Sequence, residues 1–323
     1  MELPEGVQDL WPPVPAIQRE LENRLIKLLT RAGFVEVRTP TFELYENLRR
    51  GGQSEESLYK LIDTRGRVLA LRPDFTLPVM RMALSRVETG ELPWKVCYAG
   101  QVFRLRPMGS GRPHEYTQVG AEIIGTTSGD ADGEILRLAA EGLLAAGCRQ
   151  FRIVVGDCLV TSRLLQIAQM EEGQRKAARR ALLRRDMVEL ERCIGGPVLE
   201  CFTVRGRQLE VARMLLGKAG PDEAVSALDR LERLVNSLNE TGPGIQAEVD
   251  LGLVRDLNYY TGMVFEVYAD SSAVSLGGGG RYDKLGASFG REIGAVGFAL
   301  DLSELARVHA AWVESDLSLA SIH

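Results

Sequence analysis

The sequence predicts an α+β fold, in which an antiparallel sheet is flanked by helices and interrupted by a helical insertion. Strand-like runs follow one another before residue 159 and return after residue 240, and consecutive strands of this kind favour hairpins and antiparallel pairing. The segment between them has apolar residues at helical spacing. With 323 residues, 45% of them hydrophobic, the chain is long enough to bury a sizeable core.

The first half of the chain alternates between helical and strand-like patterns. Apolar residues recur at helical spacing in three segments: 15–33, 79–86 and 130–147. The first of them ends at Ala-Gly, a common helix stop. Four runs rich in β-branched and aromatic residues predict strands: 34–46, 67–72, 95–106 and 114–125. The last two are joined by a Gly- and Pro-rich connection, so we expect a hairpin with a long loop.

The second half contains the insertion. A strand pattern at 151–157 leads into residues 159–240, where long segments have helical periodicity. We interpret the chain as one domain, 1–323, with 159–240 as an inserted helical region within it. Strand patterns then return and an amphipathic helix follows them. These elements are predicted at 245–253, 263–269, 273–278 and 295–300 for the strands and at 301–315 for the helix.

The charge and cysteine patterns exclude several classes of protein. A net charge of −5 and a pI near 5.5 argue against a protein whose main task is to hold nucleic acid. No apolar run is long enough to predict a membrane span, and the acidic, Pro-rich N-terminus is unlike a signal peptide. Five irregularly spaced cysteines and only three histidines predict reduced thiols and no metal site. We therefore expect a cytoplasmic protein without a metal or cofactor.

Polar residues concentrate in the predicted hairpin. Arg104 lies near the end of its first strand, Arg112 lies in the loop, and Gln118 and Glu122 lie four residues apart on its second strand. Side chains at even spacing on a strand point to one face of the sheet. Two arginines, an amide and a carboxylate that converge there could bind a small zwitterion or a phosphate. An ordinary polar hairpin explains the same pattern equally well.

Two later segments also contain residue types that bind ligands. LVRDLNYYTGMVFE places Arg255 and the adjacent pair Tyr259-Tyr260 ahead of a strand, although adjacent aromatic residues often place one ring inside and one outside. GGGGRYDKL, residues 277–285, has four consecutive glycines, which in a strand often mark the close approach of a ligand or another chain. A tight bend in the sheet is the alternative. The segment is not a P-loop, because it lacks Lys followed by Ser or Thr at the required spacing.

The order of these segments resembles the histidyl-tRNA synthetase family of class II aminoacyl-tRNA synthetases. LPEGVQDLWPP, RTPTFE and LALRPDFTLPVMR resemble its opening, and FRLRPMGSGRPHEYTQVGAE resembles its second motif. LVRDLNYYTGMVFE and GGGGRYDKL resemble its two histidine-specific segments, and AVGFALDLSEL stands where the third motif belongs. The resemblance covers residues 3–305. It implies a six- or seven-stranded antiparallel sheet with flanking helices, in a protein that is usually a dimer.

The resemblance also implies a pocket for histidine. The positions that match the family are Asp74, Thr76, Arg104, Gln118, Glu122, Arg255, Tyr259 and Tyr260. Asp74 stands where the family has Glu, and together with Thr76 and Gln118 it would face the α-ammonium group of the amino acid.

The remaining positions would hold the ring and the carboxylate. Glu122 and Tyr260 would bond the two imidazole nitrogens, with Tyr259 nearby, and Arg255 and Arg104 would lie beside the carboxylate. The chemistry is consistent, because a carboxylate and a phenol can satisfy both ring nitrogens. In the family the arginine at position 104 also contacts the α-phosphate of ATP.

The chain departs from an active synthetase in its phosphate-binding motifs. Glu304 stands where the family's third motif has the arginine that binds the γ-phosphate, and Arg106-Pro107-Met108 replaces the Glu-Arg-Pro of the second motif. A carboxylate repels a triphosphate, and loss of a guanidinium removes a contact of the kind worth several kcal/mol. The sequence also ends at His323, soon after the third motif, so we expect no C-terminal anticodon-binding domain and no catalytic residues.

Three hypotheses follow from these observations. The combination resembles the regulatory subunits of ATP phosphoribosyltransferase, which implies a non-catalytic protein that assembles with the short-form catalytic subunit of that enzyme. Such a protein supports the partner's activity and senses histidine for feedback control of the first step of histidine biosynthesis. It would form a dimer and bind neither tRNA nor membranes.

A minimal amino-acid-activating ligase is the second hypothesis, because Arg104 and the glycine-rich segment are intact. An RNA-binding module is the third, and it rests on the basic segment 174–192, which a solvated helix face explains more simply.

Overall fold

The computed structural model describes residues 2–86, 92–106, 111–204, 207–218, 223–242, 244–255 and 259–310. Within these ranges an eight-stranded sheet has the order β1-β5-β6-β11-β10-β9-β7-β8, and a three-stranded sheet has the order β2-β4-β3. The strands are β1 (Val35–Glu36), β2 (Phe42–Leu44), β3 (Lys60–Ile62), β4 (Val68–Leu71), β5 (Trp94–Phe103), β6 (Glu115–Ile124), β7 (Phe151–Asp157), β8 (Ile245–Val249), β9 (Met263–Ala269), β10 (Gly277–Arg281) and β11 (Ala295–Asp301).

The helices flank the large sheet, which confirms the predicted fold class. They are α1 (Val14–Arg31), α2 (Tyr45–Arg50), α3 (Thr76–Arg86), α4 (Gly129–Ala145), α5 (Cys158–Ile167), α6 (Glu172–Arg184), α7 (Met187–Cys193), α8 (Gly196–Thr203), α9 (Gln208–Lys218), α10 (Glu223–Thr241) and α11 (302–310). None of the described helices is long and apolar enough to cross a membrane.

The sheet is antiparallel except at its two edges. β1 pairs with β5 in parallel and β8 pairs with β7 in parallel, whereas the six inner strands pair with one another in antiparallel fashion. The described sheet therefore has eight strands rather than the expected six or seven. The parallel pairing of β7 with β8 follows from their connection, because a helical crossover returns the chain in the same direction.

The predicted strand patterns differ from the structure in three places. The run 34–46 is divided at Pro40 into β1 and β2, and α2 begins at Tyr45; proline cannot donate to a sheet ladder. The predicted strand 273–278 begins instead at Gly277, because the four glycines themselves form the ladder between β9 and β11. The sequence does not predict β3, since a three-residue strand has too short a pattern to recognise. The predicted helix 301–315 and the hairpin loop lie partly outside the described residues.

The sheet separates two apolar clusters. On one face, α1 buries Leu21, Leu25 and Leu29, which recur every four residues, against α4 and the sheet. Side chains from the helices between β7 and β8 belong to this same cluster. Those helices therefore share the core of the sheet and do not form a separate core.

The second face carries α3 and the cluster that contains Tyr98, Tyr259 and Tyr282. Strand alternation explains the division: along β5, Tyr98 belongs to this cluster and its neighbour Cys97 belongs to the opposite one. All five cysteines lie within the described residues, and none of them is bridged.

A buried arginine joins the end of β10 to the start of α4. Arg281 lies 2.6 Å from Asp132 and 3.0 Å from Asp283, and it also donates hydrogen bonds to the carbonyls of Thr126 and Ser128. A buried guanidinium is tolerated when its donors are paired in this way. The arginine of GGGGRYDKL therefore stabilises the fold and does not line the cavity described below.

Candidate ligand-binding site

A cavity of about 300 Å³ lies over the centre of the large sheet, on the face that carries the tyrosine cluster. Its volume is at the lower end of the range for small-molecule sites. Strands β6, β10 and β11, the segment before β9 and the start of α3 all contribute to its wall. The structure brings together all eight residues that the sequence assigned to one pocket: Asp74, Thr76, Arg104, Gln118, Glu122, Arg255, Tyr259 and Tyr260.

Glycines in β10 and β11 make room for the polar side chains. A Cβ atom at Gly278 would overlap the guanidinium of Arg255, and one at Gly280 would lie 2.9 Å from the ring of Tyr260. A Cβ atom at Gly297 would overlap the carboxylate of Glu122, with which it is in register across β11 and β6. The glycine run is therefore a strand approached closely by side chains of this chain, and the alternative of a tight bend is wrong.

Glu122 lies at the bottom of the cavity and is only 1% exposed. The hydroxyls of Thr76 and Tyr98 each donate to its Oε1 at 3.0 Å, and the hydroxyl of Tyr282 donates to its Oε2 at 2.6 Å. Burial raises the pKa of Glu122 to about 7, although these three hydrogen bonds oppose the shift. The group therefore titrates close to neutral pH.

Asp74 and Gln118 provide further acceptors. Gln53 donates to Asp74 Oδ2 at 2.6 Å, and Arg104 Nη2 lies 3.6 Å from the same oxygen. Burial raises the pKa of Asp74, while the charge of Arg104 lowers it. The amide oxygen of Gln118 is buried and has no hydrogen-bond partner among the described residues. A buried acceptor without a partner is costly, so it is suited to a donor that arrives with the ligand.

Arg255 and the two tyrosines form the wall next to β9. Arg255 Nη1 donates to the carbonyl of Phe265 at 3.0 Å, and its guanidinium carbon lies 5.7 Å from the centre of the Tyr260 ring. The rings of Tyr259 and Tyr260 are 4.9 Å apart, and both residues line the cavity. The alternative interpretation, in which one of these two rings faces outward, is therefore wrong. Residues 256–258, between Arg255 and the tyrosines, lie outside the described residues.

The other end of the cavity carries more positive charge. Arg104, Arg106 and Arg112 all line it, and Asp301 faces them. Burial raises the pKa of Asp301 to about 6, while Arg106 and Arg112 lower it. Arg106 Nε is buried and has no hydrogen-bond partner among the described residues. Pro107 and Met108, which complete the altered second motif, are outside the described residues.

Glu304 lies close to this end and remains negatively charged. Its carboxylate accepts hydrogen bonds from Ser272 at 2.5 Å and from Arg307 at 2.6 and 2.9 Å. Burial alone would raise its pKa, but the hydrogen bonds from Arg307 and Ser272 hold the pKa of Glu304 below its usual value. Two carboxylates, Asp301 in the cavity wall and Glu304 behind it, therefore lie at the end of the cavity that carries the three arginines.

Several residues of the site are not identified by the sequence pattern. Tyr98, Tyr282 and Gln53 hold the two acidic side chains, while Glu266 and Tyr268 line the wall and hydrogen-bond to each other. Tyr98 is paired in register with Gly120, where a Cβ atom would lie 2.5 Å from its hydroxyl, but only the structure reveals this pairing. The sequence likewise does not mark Gln53, which lies just after α2 and reaches Asp74, just before α3, only in the folded chain.

Taken together, the cavity is suited to a small zwitterion with a polar ring. Acceptors for an ammonium group and for a ring N–H lie at one end, and guanidinium groups for a carboxylate lie beside them. Within the described residues, no group of three His, Cys, Asp or Glu side chains could hold a metal ion.

Comparison with known proteins identifies the family to which the chain belongs. The model of the histidyl-tRNA synthetase family matches residues 6–305. An ATP phosphoribosyltransferase regulatory subunit of Moorella thermoacetica is 39% identical over 318 residues, which cover 94% of this chain and 81% of that protein. The chain belongs to this family of regulatory subunits, within the wider histidyl-tRNA synthetase family.

Other members of the regulatory-subunit family match over a similar extent. A protein of that name from Carboxydothermus hydrogenoformans is 35% identical over 315 residues, covering 94% of this chain and 95% of that protein. Among solved structures, an ATP phosphoribosyltransferase regulatory subunit/histidyl-tRNA synthetase from Bacillus halodurans aligns with a TM-score of 0.85 and 29% identity, covering 95% of this chain and 83% of that one.

A histidine–tRNA ligase subunit from Alicyclobacillus acidocaldarius aligns with a TM-score of 0.80 and 32% identity, covering 97% of this chain and 98% of that one. The fold is therefore shared by proteins named as regulators and by proteins named as ligases. The fold alone therefore does not distinguish the two activities.

Proposed function

We propose that this chain is a non-catalytic, cytoplasmic subunit that supports the short-form catalytic subunit of ATP phosphoribosyltransferase and senses histidine for it. The observation that carries the proposal is the cavity, in which buried acceptors and guanidinium groups are arranged for a zwitterion with a polar ring. The names of the relatives support a regulatory role. Feedback control of histidine biosynthesis requires a site for histidine, and this cavity has the matching chemistry.

In the proposed complex, the α-ammonium group of histidine lies against Asp74 and the open amide oxygen of Gln118. One ring nitrogen donates to Glu122 and the other faces the Tyr260 hydroxyl, with Tyr259 beside the ring. The carboxylate lies between Arg255 and Arg104. The role of Thr76 differs from the one that the resemblance implies, which is contact with the α-ammonium group. Its hydroxyl donates to Glu122, so in the proposed complex Thr76 lies near the imidazole ring.

Assembly with the catalytic subunit is tested by co-purification. A tagged short-form ATP phosphoribosyltransferase catalytic subunit, expressed together with this chain, should retain it through affinity and size-exclusion steps. The catalytic subunit expressed alone and a histidyl-tRNA synthetase in place of this chain are the controls. Complete separation of the two proteins at micromolar concentration would contradict the proposal.

A minimal amino-acid-activating ligase is the second candidate, favoured by Arg104, Arg106 and Arg112 at one end of the cavity. We predict that it is wrong, and that histidine-dependent exchange between ATP and pyrophosphate stays at background. The physical reason is that Asp301 and Glu304 place negative charge where the triphosphate needs cations. The assay is run beside an active histidyl-tRNA synthetase. Exchange stimulated by histidine at a comparable rate would support the ligase and contradict the regulatory role.

Self-association is the other partnership we propose, and the small sheet supports it. Phe42 and Leu44 on β2 are 52% and 41% exposed, and they share one face with Leu61, Leu69 and Leu71 because these residues are paired in register. An exposed apolar face of this kind is typical of a protein interface. A second copy of the chain is the occupant that the family resemblance implies.

The Phe42→Asp variant tests this dimer. We predict that wild type is a dimer and that Phe42→Asp shifts it toward monomer, because a charge would be buried in an apolar contact. Light scattering at several concentrations measures the shift. Ile62→Asp is the matched control, since Ile62 is 74% exposed and lies on the opposite face of the same sheet. Equal dimer fractions in the two variants would show that the contact lies elsewhere.

A further inference from the structure

Residues 250–255 connect the inserted helical region to the wall of the cavity. The segment follows β8 directly and ends at Arg255, which lines the cavity. It crosses β7 at Gly156, where an added Cβ atom would lie 2.7 Å from the carbonyl oxygen of Asp250 and 2.9 Å from the Cβ atom of Leu253. No side chain therefore separates the segment from the strand at this crossing.

The first half of the segment is held by three of the inserted helices. The hydroxyl of Thr161 in α5 donates to the carbonyl of Leu251 at 2.7 Å, and Leu251 is completely buried. A Cβ atom at Gly252 would lie 3.2 Å from Leu182 in α6 and 3.7 Å from Phe202 in α8. The position of this half of the segment therefore depends on the position of the inserted helices.

Arg185 adds an ionic contact between the inserted region and the segment. It joins α6 to α7, and its Nη1 lies 2.5 Å from Oδ2 of Asp250. The other carboxylate oxygen of Asp250 accepts a hydrogen bond from the Gly252 amide at 2.8 Å. Arg185 has a φ of 57°, which is unusual for a residue with a side chain and persists where surrounding contacts hold it. The ion pair therefore ties the junction of α6 and α7 to the first residue of the segment.

The second half of the segment positions Arg255. Leu253 is 1% exposed and packs against β7 and β9 in a small apolar cluster. Arg255 Nη1 donates to the carbonyl of Phe265 at 3.0 Å, and its Nε lies 3.8 Å from Glu266. Hydrogen bonds between a guanidinium and a carboxylate require close geometry, so a shift of about 1 Å in this backbone weakens them. The affinity of Arg255 for a ligand carboxylate therefore depends on where the segment lies.

We propose that Arg185 and Asp250 are positioning residues for Arg255, so that the inserted helical region controls how tightly the cavity holds the carboxylate of its amino-acid ligand. The inference rests on the proposed histidine-binding function and names a means by which that site is regulated. The coupling is reciprocal, because a ligand carboxylate that fixes Arg255 also stabilises the segment and the helices that contact it. Binding in the cavity is thereby transmitted to helices outside the cavity.

The experiment compares histidine with histidinol, in which an alcohol replaces the carboxylate. Calorimetric titration uses the full chain, alone and assembled with the catalytic subunit. Arg185→Gln and Asp250→Asn each remove one charge of the ion pair, and Asp250→Asn keeps an oxygen that can accept from the Gly252 amide. Each variant should bind histidine roughly three- to thirtyfold more weakly than wild type. Histidinol affinity should change by less than about twofold, because a ligand without the carboxylate lacks the coupled contact.

Two further variants separate positioning from a general effect on the fold. Arg185→Lys keeps a cation opposite Asp250 and should restore most of the histidine affinity that Arg185→Gln loses. Arg192→Gln is the matched control, because Arg192 lies in α7 and pairs with Glu189 in the same helix. It should leave the affinities for both ligands unchanged.

Hydrogen exchange tests the reciprocal effect without any substitution. Saturating histidine should slow amide exchange in residues 182–186 and 250–253 of the wild-type chain, whereas saturating histidinol should not. Mass spectrometry of peptides from these two ranges measures the rates. This measurement stands even if the variants of the ion pair fail to fold.

The outcomes distinguish this inference from the function on which it rests. Failure of wild type to bind histidine, both alone and in the assembly, would overturn the proposed function. Normal histidine binding would leave that function standing, and the inference would then be overturned if Arg185→Gln and Asp250→Asn weakened both ligands equally or neither. Equal wild-type affinity for the two ligands would overturn it as well. So would exchange in the two ranges that histidine leaves unchanged or that both ligands slow equally.

Discussion

Gly297→Ala is expected to abolish histidine binding, with a loss of at least a hundredfold. A Cβ atom at this position would overlap the carboxylate of Glu122, and it would also lie 2.7 Å from the carbonyl oxygen of Ala121. The Glu122 side chain must then move, and it loses its hydrogen bonds to Tyr98 and Tyr282. Calorimetric titration of histidine measures the change in affinity.

A matched glycine substitution controls for the effect of an added methyl group. Gly217 lies in helix α9, and among the described residues outside its own stretch of helix a Cβ atom added there would meet no atom within 4 Å. Gly217→Ala should leave histidine affinity unchanged and stabilise the fold by about 0.5–1 kcal/mol, because alanine favours the helix. Circular dichroism establishes that Gly297→Ala remains folded. A folded Gly297→Ala protein with wild-type affinity would show that histidine binds elsewhere.

Glu122→Gln is expected to weaken histidine binding by roughly ten- to a hundredfold, since it removes a charged acceptor from a buried hydrogen bond. The same substitution should stabilise the ligand-free protein at pH 8. Burial raises the pKa of Glu122 from 4.5 to about 7, so the folded state holds this proton more tightly than the unfolded state. Its contribution to stability is therefore lost as the pH rises from about 4.5 through 7.

Glutamine has no proton to lose, so the stability of the variant does not carry this pH dependence. Urea unfolding of both ligand-free proteins at pH 6 and pH 8 measures the difference. The advantage of the variant should be larger at pH 8, by about 1 kcal/mol. Other buried carboxyl groups, such as Asp157 and Asp301, are common to both proteins and cancel in the comparison. If the difference in the free energy of unfolding between the two proteins were the same at pH 6 and pH 8, the prediction would be contradicted. Such a result would mean that burial does not raise the pKa of Glu122 in the folded protein.

Helices and strands with a regular spacing of apolar residues can be predicted from the sequence. Elements that form only because they pair with another part of the fold cannot. Helix α1 and strand β9 have the periodicity of their final structure, and their predicted bounds lie close to the observed ones. β3 has three residues, and β10 is made largely of glycine, so neither has a side-chain pattern to recognise. The parallel pairing of β1 with β5 is a property of tertiary structure, which local propensity does not encode.

The candidate site shows the same division. The eight proposed histidine-binding positions lie in short motifs with a recognisable order, and the structure places all of them around one cavity. The sequence does not single out Tyr98 and Tyr282, because a tyrosine in a buried strand or beside it is usually core. Only the approach of their hydroxyls to Glu122 distinguishes them, and that contact joins residues 24 and 160 positions apart in the chain.

The histidine response of the assembled enzyme tests the proposed regulatory role most directly. ATP phosphoribosyltransferase activity of the short catalytic subunit is measured with and without this chain while histidine is titrated. We predict activity that depends on the chain and is inhibited progressively by histidine, and we predict that Glu122→Gln shifts the inhibition to at least tenfold higher histidine. Activity that does not depend on the chain, or one inhibition curve shared by wild type and Glu122→Gln, would contradict the role proposed for the cavity.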